Sequence, residues 1–192
     1  SNKAKDDFAI ISPVSLNSRN YGFFNEIKNK HSKLPHEIKN SYKVDYILGF
    51  SLLINKSNIK MNKVFDENYF LYFEEIDFFY NCLKSNIDVF FLSKVNFIHN
   101  KASSINEENM SYSEKIHLLR QWHYTWSYFY FYKKNFTFFL ALKKILPLFL
   151  KDFVMLFFNM IKLNSKLTKI RYFRMNGFLN SLLGLKSSKR LD

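Results

Sequence analysis

The sequence predicts an α/β fold followed by long amphipathic C-terminal helices, and three observations predict it. Short apolar, β-branched runs such as Phe8 to Val14 and Val89 to Leu92 flank a helix-spaced segment that starts at Glu74. Beyond Ser104 come three long, aromatic, basic stretches nearly free of glycine: Ser111 to Lys134, Phe136 to Lys162 and Ser165 to Leu183. Charge divides at the same place, with 14 Lys/Arg against 13 Asp/Glu in residues 1–108 and 15 against 3 in residues 109–192. The expectation is two regions, 1–108 and 109–192. A composition 47% hydrophobic and 19% aromatic, with 4 Gly and 3 Pro, excludes disorder across the whole chain.

Phe8 to Val14 reads as a short buried strand stopped by Pro13, as in a parallel sheet. Residues 17–43, rich in Asn, Lys, Ser and His, read as irregular. Val44 to Ile54 (VDYILGFSLLI) has the pattern of one strand in which Gly49 lets something approach the backbone, or serves packing. Ser57 is placed to cap a short helix through Met61. From Glu74 the apolar residues Ile76, Phe79, Tyr80 and Leu83 recur at helical spacing, and Asn86 marks the stop. Val89 to Leu92 and Val95 to His99 read as two short strands or one bent segment.

The chemistry is concentrated around that helix start. Glu74, Glu75 and Asp77 put three carboxylates within four residues, directly after the aromatic run Tyr69 to Phe73. Acidic residues favour a first helical turn, where the helix dipole and free N–H groups stabilise negative charge. Crowded carboxylates also raise one another's proton affinity, which suits a general base acting on a hydroxyl. The single cysteine, Cys82, excludes a disulfide within the chain and a thiolate zinc cluster, and reads as a buried small hydrophobe. His31, His36, His117 and His123 lack metal-ligand spacing and read as surface or packing residues.

Taken in order, VDYILGFSLLI, VFDENYFLYFEEIDF, a helix, and VFFLSKVNFIHNKASS resemble glycosyltransferase family 2, in particular its rhamnosyltransferase-like branch. The resemblance covers Val44 to Ser104. It implies a partial GT-A fold, with a Rossmann-like mixed sheet, and an inverting transfer of sugar from a nucleotide-sugar donor to a glycan or lipid-linked acceptor. By position it makes Glu75 the counterpart of the family's catalytic Asp, one methylene longer, with Glu74 orienting it and Asp77 a substitute. Asp45 and Gly49 then correspond to substrate-pocket positions. His99 corresponds to a ligand of the divalent cation, Mg or Mn, that neutralises the leaving diphosphate; without the resemblance, it reads as a core histidine.

The family's nucleotide-binding βαβ half and its Asp-x-Asp motif are not found, since Asp6-Asp7 stands too near the first residue. The expectation is therefore an acceptor-side part with little catalysis by itself, because stabilising the leaving group is a large share of the rate.

The tail suggests a different surface. Stepping about 100° per residue places Lys133, Thr137, Lys151, Asn159, Lys162 and Lys166 within about 60° of Lys144, and most of the remaining circumference is apolar. Within residues 133–166 the longest uncharged run, Phe153 to Ile161, is far short of the roughly 20 residues a bilayer span needs, and Pro147 is expected to kink the helix. The pattern fits peripheral attachment to an anionic membrane surface, with Lys144, Lys151 and Lys162 as contacts; the other reading is a helix buried against a missing half or a second subunit. Trp122 and Trp126, one turn apart, suit either that interface or core packing. The place expected for such a protein is the cytoplasmic face of the inner membrane. Two other readings are a non-catalytic membrane-surface or assembly subunit and a nucleic-acid-binding module. The latter leaves the carboxylates and His99 without a purpose, so no nucleic-acid partner is expected.

Overall fold

The computed structural model describes residues 8–16, 21, 22, 24, 37, 38, 41–61, 63–99 and 110–190. Ser1–Asp66 with Glu75–Lys101 make one compact unit, and Glu67–Glu74 with Ala102–Asp192 make another. Where the sequence suggested one cut at residue 108, the chain changes unit after Asp66, after Glu74 and after Lys101.

The first unit is of the α/β class. Its sheet runs β3 (Glu37–Ile38), β4 (Ser41–Val44), β7 (Val89–Phe97), β1 (Ile10–Ser15) and β6 (Leu53–Ile54), in that spatial order. The central β1–β7 pair is parallel and the flanking pairs are antiparallel, so the sheet is mixed. A parallel pair needs a crossover, and helix α1 (Glu74–Lys84) immediately precedes β7. Separately, β2 (Tyr21–Gly22) pairs with β5 (Tyr46–Ile47).

Four details differ from expectation. Residues 17–43, read as irregular, supply β2, β3 and most of β4. Strand β1 does not stop at Pro13 but continues to Ser15, and the irregularity falls on its partner. Pro13 faces Leu92 while Val14 faces Asn96, so residues 93–95 of β7 are looped out where proline has no N–H for the ladder. With this bulge Val89–Phe97 is a single interrupted strand, so of the two readings of 89–99 the structure shows one segment. Val44 to Ile54 is three short pieces rather than one strand. Asp45 donates its N–H to Gly22 O, leaving the main sheet, and Phe50 N–H bonds Leu48 O at 2.9 Å across Gly49, a tight turn. Finally, the short helix is a single 3-10 turn, Lys56–Asn58, capped by the Asn55 side chain rather than by Ser57.

Helix α1 ends as its sequence suggests. Asn86 adopts a left-handed conformation (φ 53°), and bonds from Ile87 N to Cys82 O and Asn86 N to Leu83 O close a Schellman motif. Its inward face buries Phe78, Phe79 and Cys82 in a core with Ile10, Val44, Ile47 and Val89. Burial pushes the Cys82 thiol up to about 12, as befits a packing residue.

The second unit is built on α2 (Met110–Asn135), α3 (Phe138–Ile161) and α4 (Ser165–Leu182), which pack on one another. Thr137 and Asn164 cap α3 and α4. Helix α3 runs through Pro147 as one element. Helix α2 supplies the core: Trp122, Trp126 and Phe129 are buried, and Phe129 meets Phe178 of α4 edge-on. At Gly177 of α4 an added Cβ would collide with Trp122 O and come 2.7 Å from Thr125 Oγ1, so glycine sets the α2–α4 approach. The chain after α4 returns along α2. Trp126 Nε1 donates to Leu185 O, and His123 lies between Ser187 Oγ and Lys189 O.

Candidate functional site

The acidic helix start follows a strained turn. Tyr72 and Phe73 both have left-handed backbones (φ 66° and 70°), which for bulky residues costs roughly 1–3 kcal/mol each. Compensation comes from the aromatic setting of the second unit. Tyr72 packs edge-on against Tyr124, Phe73 sits among Tyr124, Tyr128 and Phe131, and Ser127 Oγ donates to Leu71 O. The chain then enters the first unit between Glu74 and Glu75.

In the first unit the turn at Gly49–Phe50 brings together residues far apart in sequence. A Cβ at Gly49 would lie 3.7 Å from Glu75 Cβ and 3.8 Å from its Cγ, so the Glu75 stem runs past a bare Cα. Those are ordinary contact distances at a φ open to any residue, so neither crowding nor backbone strain requires glycine there. Beside it, Phe50 stacks on the His99 ring with centroids 4.1 Å apart and planes 6° from parallel, while remaining exposed. Glu75, Gly49, Phe50 and His99 thus share one locality, with one Glu75 carboxylate oxygen shielded from water.

The other sequence candidates are placed differently. Asp77 is 2% exposed, and Asn81 Nδ2 lies 3.4 Å from its Oδ2, so it is a buried residue of the helix. Asp45 is also buried: its Oδ2 accepts the Phe24 N–H at 3.0 Å, tying β5 to the β2 segment instead of lining an open pocket. Burial raises the proton affinity of Asp45, while that N–H and the Lys43 charge oppose the shift. Glu74 belongs to the second unit, where its Oε2 is buried with no hydrogen-bond partner among the described residues. Tyr72 is harder to ionise than usual, chiefly through burial and partly through the Glu74 charge.

Among the described residues no three of His, Cys, Asp and Glu converge as a metal-binding group. His99 is there a single nitrogen donor against Phe50, and these residues do not by themselves fit a complete site for Mg or Mn.

In the helical unit both tryptophans are core, so of the two settings their spacing suits, membrane interface or packing, the structure shows packing. Trp122 and Trp126 are 2% and 3% exposed, and Trp122 Nε1 donates to Asn176 Oδ1 at 2.7 Å. Lys144 is half-buried with its ammonium over the Tyr132 ring, whereas Lys151 and Lys162 are exposed. Asn159, grouped with those lysines by helical angle, faces inward instead. His123 is fully buried, and His117 is exposed; His31 and His36 lie outside the described residues. No described helix is long and apolar enough to cross a membrane.

Sequence reasoning missed Phe50. The available signal was an aromatic directly after Gly49, but the partner that gives it meaning, His99, is 49 residues away. Tyr72 and Phe73 were read only as part of an aromatic run, because left-handed strain in such residues has no sequence signature. Together these features define the class: an α/β unit with a carboxylate beside a bare glycine and an aromatic stack, joined to a basic three-helix unit. Comparison with family models, curated proteins and solved structures gives no match for this chain.

Proposed function

We propose that the chain carries the acceptor-side site of an inverting glycosyltransferase of the family 2 type, on a partial GT-A sheet, with Glu75 as the base. The observation that supports this reading most is the meeting of Gly49, Phe50, Glu75 and His99 at one turn. A bare Cα beside a carboxylate leaves room for a sugar ring, and an exposed aromatic offers the apolar platform on which such rings rest. The extra methylene of Glu75 relative to an aspartate lies along Gly49, where a larger side chain would compete with the substrate. In the reaction, the Glu75 carboxylate takes the proton of the acceptor hydroxyl while that oxygen bonds to the anomeric carbon. The bond to the nucleoside diphosphate breaks on the opposite face, so the centre inverts. Glycans and lipid-linked sugars are the acceptor class, and a nucleotide sugar is the donor.

The test is transfer of labelled sugar by the full-length product of the gene, across a panel of nucleotide sugars. Glu75→Gln should lower kcat roughly 100- to 10,000-fold, the ordinary worth of a general base, with circular dichroism unchanged. Phe50→Ala should mainly raise KM. Full turnover by Glu75→Gln would overturn the assignment of the base.

A further inference from the structure

Helix α3 is packed inside out. Its buried residues are Ala141, Ile145, Asp152 and Asn159, a stripe about 40° wide. Phe139, Leu146, Leu150, Phe153, Phe157 and Ile161 fall in an arc of about 80° on the other side, and all are exposed, Phe139 to 82% and Ile161 to 79%. Asp152 is held inward by Arg171 and Arg174 of α4, the latter at 3.0 Å. It is the only acid in the α3 sequence, so every charge α3 presents outward is a lysine: Lys143 and Lys151 are exposed, and Lys162 follows at its C-cap.

The tip of the α3–α4 hairpin points the same way. Helices α1, α3 and α4 all end in Schellman motifs, with Asn86, Leu163 and Gly184 at the left-handed position. Asparagine and glycine are suited to that conformation, whereas leucine is strained in it. Yet Leu163 (φ 52°) is 90% exposed and contributes nothing to the core in return.

We infer that the outward face of α3, with the Ile161–Leu163 tip, is a docking surface for an anionic lipid bilayer. Charge complementarity selects this occupant. A face of Phe, Leu and Ile bordered only by lysines matches an acyl layer beneath anionic head groups, with the lysine stems reaching up to the phosphates. A second copy of the same face would instead set lysine against lysine. The inference stands apart from sugar transfer, since none of these residues belongs to the Glu75 site.

The experiment is flotation of the whole chain with vesicles of phosphatidylcholine alone, or with about 30% phosphatidylglycerol. Binding to the mixed vesicles is expected, with much less on phosphatidylcholine. Each lysine near an anionic surface contributes about fivefold in affinity, so Lys151→Glu with Lys162→Glu should weaken binding at least 25-fold. Phe153→Ser with Phe157→Ser should abolish it, with fluorescence of the buried Trp122 and Trp126 confirming the fold. Leu163→Asn separates the roles: it should raise the melting temperature, because asparagine tolerates the turn, yet weaken flotation severalfold. Equal flotation of wild type and all three variants would overturn the proposal. So would a stable lipid-free dimer that Phe153→Ser with Phe157→Ser converts to monomer while vesicle binding is absent.

Discussion

Helices α2 and α3 are neighbours of similar length and aromatic richness, yet they use their side chains in opposite ways. Helix α2 turns Trp122, Trp126, Phe129 and Phe131 inward, together with His123, Thr125 and Ser127. Helix α3 turns Asp152 and Asn159 inward and leaves Phe139, Phe153, Phe157 and Phe158 outside, while Phe149 packs on Phe178. The difference teaches that aromatic content alone does not locate a core. In α2 buried rings hold the unit together; in α3 an ion-paired carboxylate and an asparagine share the inner stripe with Ala141 and Ile145.

The sharpest way to break this contrast is to delete one ring from each helix. Trp126→Ala should cost about 3–5 kcal/mol by opening a cavity and removing the bond to Leu185 O, whereas Phe157→Ser should change stability by less than about 0.5 kcal/mol. Urea unfolding of both variants checks the pair, and equal losses would refute the division.

A smaller effect contrasts the two glycines. Gly177→Ala should destabilise by about 1–3 kcal/mol, since the new methyl meets the Trp122 carbonyl. Gly49→Ala should leave the melting temperature nearly unchanged, because a Cβ there finds ordinary contacts, and should lower sugar transfer if the bare Cα serves substrate. A Gly49→Ala protein that melts early would return that glycine to a packing role.

The smallest effect concerns the buried polar edge of α2. His123 is held below its ordinary proton affinity by burial, against the bond to Lys189 O and with help from the Arg190 charge. Lys189 O can only accept, so Nε2 carries the proton and Nδ1 accepts from Ser187. Its folded pKa therefore lies below the unfolded value near 6.5. The unfolded state binds the proton first as pH falls, so stability present above that value declines on acidification. The melting temperature should drop between about pH 7 and 5, and His123→Gln should flatten that slope.

Much of the local structure was legible in the residues. The extent of α1 follows from apolar spacing and the left-handed tolerance of Asn86, and the three later helices from long stretches nearly free of glycine, all short-range effects. The acidic start of α1 was visible because its three carboxylates are adjacent. Less legible were β4, β5 and β6, which one apolar run disguised as a single strand. Hydrogen bonds to Gly22 and Ala9, distant in sequence, decide where that run breaks.

The same distinction applies to the site. Sequence alone determined that Glu74, Glu75 and Asp77 open a helix, that Cys82 packs, and that positive charge gathers after residue 108. Only the tertiary structure decided that Asp77 and Asp45 are buried, that Phe50 stacks on His99, and that Trp122 and Trp126 are core while Phe139, Phe153 and Phe157 of α3 are exposed. The physical reason is that helical periodicity fixes which residues share a face, but not which face meets a neighbour. Inverting α3 required Arg171 and Arg174 to reach Asp152 from another helix, a long-range pairing that the α3 sequence does not encode.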